Sequence, residues 1–177
     1  MKSARADRRW LSVLGLALAL GLVWTLDAVA DGHGRKKKRW ARQATDPAYA
    51  QACGQCHMVY PSCLLPAGSW RQLLEGRLDH FGQSLTLSAS EAKEIGAFLE
   101  AGAADRAGGK RSRKVMESLG GATPLRPSEV PYLQHKHRKL GKEVLARPAV
   151  GGLGNCRACH PGAEQCDFDD DRVSIPR

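Results

Sequence analysis

The chain has 177 residues, of which 6 % are aromatic, and its formal net charge is +9. This length corresponds to one domain or two small ones. Large apolar side chains are also too scarce to build two separate cores from protein alone.

The first thirty residues predict a secretory signal peptide. A positively charged start precedes an uncharged apolar run over residues 11–26, and Ala28 and Ala30 supply the small residues of a signal peptidase site. We therefore predict cleavage after Ala30 and a periplasmic mature protein. The alternative is a retained membrane anchor, but a run of 16 residues is shorter than the roughly 20 that a helix needs to cross a bilayer.

A basic arm over residues 31–45 follows the predicted cleavage site. It contains five consecutive cations, from Arg35 to Arg39, whose mutual repulsion disfavours folding. We expect a solvated, flexible segment with weak membrane-surface contact through anionic lipid headgroups as its one functional option. The export signal argues against a nucleic-acid partner.

Helix signals begin at Asp46-Pro47, which is typical of an N-cap followed by a first helical residue. Ser69 could cap a second helix that ends near Gly76. Ser88 and Glu91 form a capping box for a third helix, which is expected to end at Gly102.

The second part of the chain is less regular. Residues 103–127 are interpreted as an exposed connection, in which Val115, Met116 and Leu119 are the sole signs of order, and a further helical stretch is expected from Pro131 to about Leu145. No run alternates apolar and polar residues, as a half-buried strand would. The predicted fold class is therefore mainly α with extensive irregular loops.

Two CxxCH motifs carry the chemistry, Cys53-Gly54-Gln55-Cys56-His57 and Cys156-Arg157-Ala158-Cys159-His160. Two thiols at this spacing can form thioether bonds to the vinyl groups of a haem, and the histidine that follows can bind the iron. The sequence fits neither of two alternatives, because a zinc ribbon needs its cysteine pairs roughly 15 to 20 residues apart and a thioredoxin-like dithiol needs a βαβ setting. The sequence therefore predicts two covalently bound haem c groups.

Haem also answers the shortage of apolar side chains, because each macrocycle is an apolar disc that side chains can pack against. We predict two small haem-binding halves packed around the two haems. The predicted order is a signal peptide (1–30), a basic arm (31–45), an N-terminal half (46–102), a linker (103–127) and a C-terminal half (128–177).

The sixth iron ligand decides whether each haem is closed or open. His80 follows His57 by 23 residues, and His137 precedes His160 by the same number. Such a segment reaches easily around a macrocycle at about 3.3 Å per residue. Bis-histidine coordination of both haems is the economical hypothesis.

Other candidates for the sixth ligand exist. His135 and His137 would lie about 200° apart around a helix, so one of them would be a surface residue, and the spacing does not decide which. His33 lies in the basic arm. Met116 is a remote candidate for a histidine/methionine pair.

Four segments together resemble the small bacterial dihaem cytochromes c in order and spacing: CGQCHMVYPSCLLPAGSW, LDHFG, PYLQHKHRKL and CRACHPGAEQCDFDDDRVSIPR. Apart from the linker, the resemblance covers residues 49–177. It implies that His80 and His137 are the distal ligands, since Arg138 after His137 favours that histidine over His135. It also implies a low-potential electron carrier between a membrane b-type cytochrome and a small monohaem cytochrome with an open iron site.

Two further cysteines depart from the usual pattern of that family. Cys63 and Cys166 each lie six residues after a haem histidine. Two spare thiols tend to pair in an oxidising compartment, so a disulfide between the two haem segments is one interpretation, and two buried free thiols are the other.

Taken together, these features predict an electron carrier and not an enzyme. The alternative is a dihaem redox enzyme or a gas-binding sensor in which one haem keeps an open position. Carbon monoxide would separate them, since it binds an open ferrous haem and not a closed one.

Overall fold

The computed structural model describes residues 45–177. The predicted signal peptide and all but the last residue of the basic arm, including His33, lie outside the described residues. The α-helices of the described part are α1 (Pro47–Cys53), α2 (Ala67–Glu75), α3 (Ala89–Ala101), α4 (Gly109–Leu119), α5 (Pro131–His137) and α6 (Lys142–Leu145).

Short 3₁₀ turns lie between these helices, over Ser62–Leu64, Arg77–Asp79 and Pro127–Glu129, and after α6, over Cys156–Ala158, Ala163–Gln165 and Asp170–Arg172. Between residues 45 and 177 there is no strand, and extended pairing is limited to the isolated bridges of His80 with Gln83 and of Gly162 with Asp167. The predicted fold class, mainly α with extensive irregular loops, is confirmed.

Helices α1 and α3 begin where local signals place them. The Asp46 carboxylate accepts a hydrogen bond from the Tyr49 amide at 2.8 Å, and Pro47 opens α1. Ser88 and Glu91 form both halves of the capping box of α3. These caps satisfy amide groups that the first turn of a helix leaves without partners.

Helix α2 begins two residues before the predicted Ser69 cap. The amide of Ala67 donates to the Asp105 carboxylate at 2.8 Å, so this helix receives its cap from a residue that is distant in the sequence. Ser69 lies inside the helix and is fully buried. The helix ends at Glu75, before Gly76, as expected.

The expectation that residues 103–127 form an exposed connection is wrong. Helix α4 occupies the middle of this segment, and Val115 and Leu119 on one face are buried in the main core. Gly120 ends the helix in the left-handed conformation at φ 55°, which glycine adopts without steric cost. The division into two halves at these boundaries remains a prediction.

The single helical stretch expected from Pro131 to Leu145 is divided. Helix α5 ends at His137, and Gly141 adopts an extended conformation before α6 begins. The Arg138 side chain donates to the His135 carbonyl oxygen at 2.8 Å, which satisfies one of the groups left open where the helix ends.

The main core joins the first half of the chain to α4. It contains Leu65, Trp70, Ile95, Val115 and Val130, each at most 5 % exposed. Helix α2 packs on α3, and α4 packs on α5. No helix in the described part of the chain is both long enough and apolar enough to cross a membrane.

Candidate haem sites

The first motif straddles the end of α1. Cys53 is the last residue of the helix, and the chain then turns so that Cys56 is exposed and His57 follows it. Nδ1 of His57 lies 2.7 Å from the Met58 carbonyl oxygen. A carbonyl can only accept, so Nδ1 carries the proton and Nε2 keeps a free lone pair, the form in which histidine binds a metal.

His80 lies in a tight turn after the 3₁₀ turn Arg77–Asp79. The turn is closed by the His80 amide, which donates to the Gln83 carbonyl oxygen at 2.7 Å, and by the Gly82 amide, which donates to Asp79 at 3.0 Å. Phe81 holds a left-handed φ of 56° and packs its ring edge-on to His80, with the centroids 4.8 Å apart. The turn thereby fixes the imidazole from both backbone and side chain.

The ring centroids of His57 and His80 are 6.2 Å apart, and their planes are inclined by 30°. A metal ion held between two imidazoles at about 2.0 Å from each nitrogen would separate the ring centres by about 6 Å. His57 and His80 would therefore be able to hold a haem iron between them. The Nδ1 atom of His80 is buried and has no hydrogen-bond partner among residues 45–177.

The second motif lies in a loop and not at the end of an α-helix. Cys156 begins a 3₁₀ turn, and the amide of His160 donates to the Cys156 carbonyl oxygen at 2.8 Å. A cavity opens beside it, lined by both motif cysteines, His160 and His137, together with apolar side chains such as Leu133 and Val144. Thiols, imidazoles and apolar walls in one cavity match the needs of a covalently bound haem.

Helix α5 presents His137 to this cavity. Its Nδ1 donates to the carbonyl oxygen of Leu133, one helical turn earlier, at 2.8 Å. His135 is exposed and instead lies 3.1 Å from the Arg138 guanidinium. The structure therefore brings His137 to the second site and leaves His135 at the surface, while Met116 packs against the main core.

The ring centroids of His137 and His160 are 6.1 Å apart, nearly the same separation as in the first pair, but the two planes are inclined by 87°. Nδ1 of His160 is buried and has no hydrogen-bond partner within the described part of the chain, and the Phe168 ring packs edge-on to the imidazole at 5.3 Å. The second pair satisfies the same distance requirement of about 6 Å.

Burial controls the ionisation of both sites. It lowers the pKa of His80, with smaller contributions from His57 and Arg126, and it lowers the pKa of His160, with a smaller contribution from His137. Both shifts favour the neutral imidazole that binds metals.

Burial also raises the pKa of the Cys53 and Cys156 thiols to about 11. A reactive dithiol has a depressed pKa instead, and neither motif pair forms a disulfide. The motif cysteines therefore do not fit a thioredoxin-like redox site.

The two sites are joined by a disulfide between Cys63 and Cys166, whose Cα atoms are 7.0 Å apart. Both residues are at most 2 % exposed and form a small second core with Leu64. The disulfide joins the two chain segments that follow the haem motifs.

Tyr60 is a link that the sequence did not reveal. Its ring centroid lies 5.2 Å from that of His57, and its hydroxyl donates to the Gly154 carbonyl oxygen at 2.8 Å, two residues before the second motif. No local pattern signals this contact, because the partners are 94 residues apart. Arg126 was missed for the same reason, and its guanidinium lies 3.8 Å from the Phe81 ring centroid.

This arrangement defines a small helical protein with two sites for covalently attached haem. The family model of the dihaem cytochromes c matches residues 49–168. The solved structures that are similar in sequence and fold include two dihaem cytochromes c. A dihaem cytochrome c from Rhodobacter sphaeroides is 37 % identical, with a TM-score of 0.62, and the match covers 72 % of this chain and 100 % of that one.

The second is a dihaem cytochrome c from Shewanella baltica, which is 30 % identical with a TM-score of 0.60. The match covers 73 % of this chain and 92 % of that one. Among curated protein sequences, none matches the chain significantly. The chain belongs to the dihaem cytochrome c family and is an electron-transfer cytochrome with two covalently bound haem c groups.

Proposed function

We propose that this protein is a periplasmic electron carrier in which both haem irons are closed by two histidines. His57 and His80 would hold the first iron, and His160 and His137 the second. The observation that carries the proposal is the nearly equal separation of the two pairs, 6.2 and 6.1 Å between ring centroids.

When bound, each haem supplies a one-electron Fe(III)/Fe(II) couple. The protein would tune this couple through its ligands. Histidine on both sides gives a lower potential than histidine with methionine. Nδ1–H groups that donate to carbonyl oxygens, as in His57 and His137, make the ligands more basic. Both effects favour the ferric state, so we expect two low-potential haems.

The sequence supports the proposed partners and compartment. The resemblance to the family supports a membrane b-type cytochrome as electron donor and a small monohaem cytochrome as acceptor. The predicted signal peptide supports periplasmic localisation, because export delivers the unfolded chain to the compartment where haem c is attached.

The test is the optical spectrum of the purified holoprotein, combined with exposure of the reduced form to carbon monoxide. We expect low-spin ferric bands, no charge-transfer band from a methionine–iron bond, and no carbon monoxide uptake on the time scale of mixing. Rapid uptake by one haem would overturn the carrier proposal in favour of a redox enzyme or a gas sensor.

A further inference from the structure

Charge is distributed unevenly along the described chain. Residues 45–106 contain four lysines and arginines against seven acidic residues, a formal charge of −3. Residues 107–147 contain ten against three, a formal charge of +7. This basic segment holds α4, α5 and α6, and all three helices contribute to the second haem site or its immediate support.

Four cations beside the second site are exposed and define what we call the basic surface: Lys136, Arg138, Lys139 and Lys142. Lys136 and Lys139 line the mouth of the cavity that holds His137 and His160. The basic surface is therefore continuous with the second haem site.

Most of these cations are not neutralised by an acidic group within the described residues, so their charge can attract an external partner. Lys136 pairs with Asp170 at 3.3 Å, in a contact exposed on both sides, and such pairs contribute little stability. Among the described residues, the Arg138 guanidinium forms hydrogen bonds only to His135, which is not acidic. Lys139 and Lys142 have neither an ion pair nor a side-chain hydrogen bond within residues 45–177.

The first site lacks this excess of positive charge. Arg126, the cation over Phe81, is paired with Glu129 at 3.2 Å. Asp79 lies in the turn that carries His80. The excess of positive charge lies on the α5–α6 side of the second site, because Asp170 also lines the cavity and residues 148–177 contain three arginines against five acidic residues. An acidic partner would thus be attracted to that side of the second site.

We propose that the basic surface is a docking site for an acidic redox protein, which exchanges electrons through the second haem. The inference rests on the proposed function and extends it, because it identifies the haem at which one partner docks and the charge that this partner carries. Complementary charge beside a redox site raises the association rate by concentrating and orienting the partner, and the effect falls with added salt. A protein is favoured over a lipid surface because the cations border a redox site, where only a partner with its own redox centre can exchange electrons.

The test uses the holoprotein and a flavodoxin as an acidic redox probe. One electron passes from the flavin hydroquinone, which becomes the semiquinone, to a ferric haem, which becomes ferrous. Stopped-flow rates are compared between the wild type, the double variant K139E/K142E and the control K93E. Lys93 is an exposed lysine on α3, in the acidic segment of the chain.

We expect the wild-type second-order rate to fall as ionic strength rises. At low ionic strength, the rate of K139E/K142E should be about one tenth of the wild-type rate or lower. The rate of K93E should stay within about twofold of the wild-type rate. Reduction by neutral lumiflavin semiquinone should be the same in all three proteins. Equal losses in K93E and in the double variant, a wild-type rate independent of salt, or a parallel loss with lumiflavin would overturn the proposal.

A membrane is tested with vesicles of phosphatidylglycerol and phosphatidylcholine. Binding at physiological salt that K139E/K142E abolishes, without an effect on the flavodoxin rate, would overturn the protein partner in favour of lipid. Failure of the docking proposal is distinguishable from failure of the carrier proposal. Carbon monoxide uptake reports an open iron, whereas the salt dependence of the flavodoxin reaction reports the surface charge.

Discussion

The two haem sites position their proposed distal histidines in different ways. His80 lies in a surface turn, where backbone hydrogen bonds and the Phe81 ring position it. His137 lies on α5, where a bond to the Leu133 carbonyl oxygen within the helix fixes its ring. Both arrangements place the imidazole about 6 Å from its partner, so two unrelated local structures meet the distance that the proposed bis-histidine coordination would require.

The difference extends to the orientation of the rings. The imidazole planes are inclined by 30° in the first pair and by 87° in the second. A turn and a helix approach the proximal histidine from different directions, so equal distances do not imply equal orientations. We expect the two haems to have distinct electronic states even with identical ligand types.

The largest effect should come from removing a distal histidine. His80→Ala and His137→Ala should each convert one low-spin haem per molecule into a high-spin haem that binds carbon monoxide in the reduced state. The reason is that alanine leaves the sixth position of that iron without a ligand. Optical and carbon monoxide titrations measure the change.

His135→Ala is the matched control, because this exposed side chain contacts Arg138 and should leave both haems low-spin. High-spin haem in His135→Ala, together with an unchanged His137→Ala protein, would reverse the assignment at the second site.

Removing the disulfide should affect both sites together. The double variant C63S/C166S should lose about 2–5 kcal/mol of unfolding free energy, because the cross-link closes a long loop and restricts the unfolded chain. Denaturant unfolding of the holoprotein measures this loss. The wild type unfolded with a strong reductant should approach the stability of the variant, and equal stability of variant and oxidised wild type would contradict the prediction.

A smaller effect is expected at Tyr60. Tyr60→Phe keeps the ring beside His57 but removes the hydrogen bond to Gly154, which should cost about 1 kcal/mol in unfolding free energy. Tyr132→Phe is the control, since its hydroxyl has no hydrogen bond among the described residues. Equal costs in the two variants would show that Tyr60 does not link the sites.

The features that could be predicted from the sequence are those set by neighbouring residues. The capping box of Ser88 and Glu91 placed the start of α3 correctly. The start of α2 was misplaced because its cap comes from Asp105. Helix α4 was missed because its buried stripe is sparse among basic residues, and its stability depends on packing against the core.

The same distinction between local and remote contacts applies to the haem sites. The proximal halves are local, since each CxxCH motif carries its own thiols and imidazole. His80 and His137 were predicted as distal ligands from the small number of histidines and from the resemblance to the family. The ring orientations could not be predicted, because they depend on how a turn and a helix pack in three dimensions. Tyr60 and Arg126 depend on contacts between remote segments, which no local pattern reveals.

Low-temperature electron paramagnetic resonance of the fully ferric holoprotein tests the central claim most directly. Nearly parallel imidazoles separate the iron dπ orbitals and give a rhombic low-spin signal, whereas perpendicular imidazoles leave these orbitals almost degenerate and give a single feature at large g. We predict one signal of each type in equal amounts. A persistent high-spin signal in the resting protein would contradict the claim that two histidines close each haem.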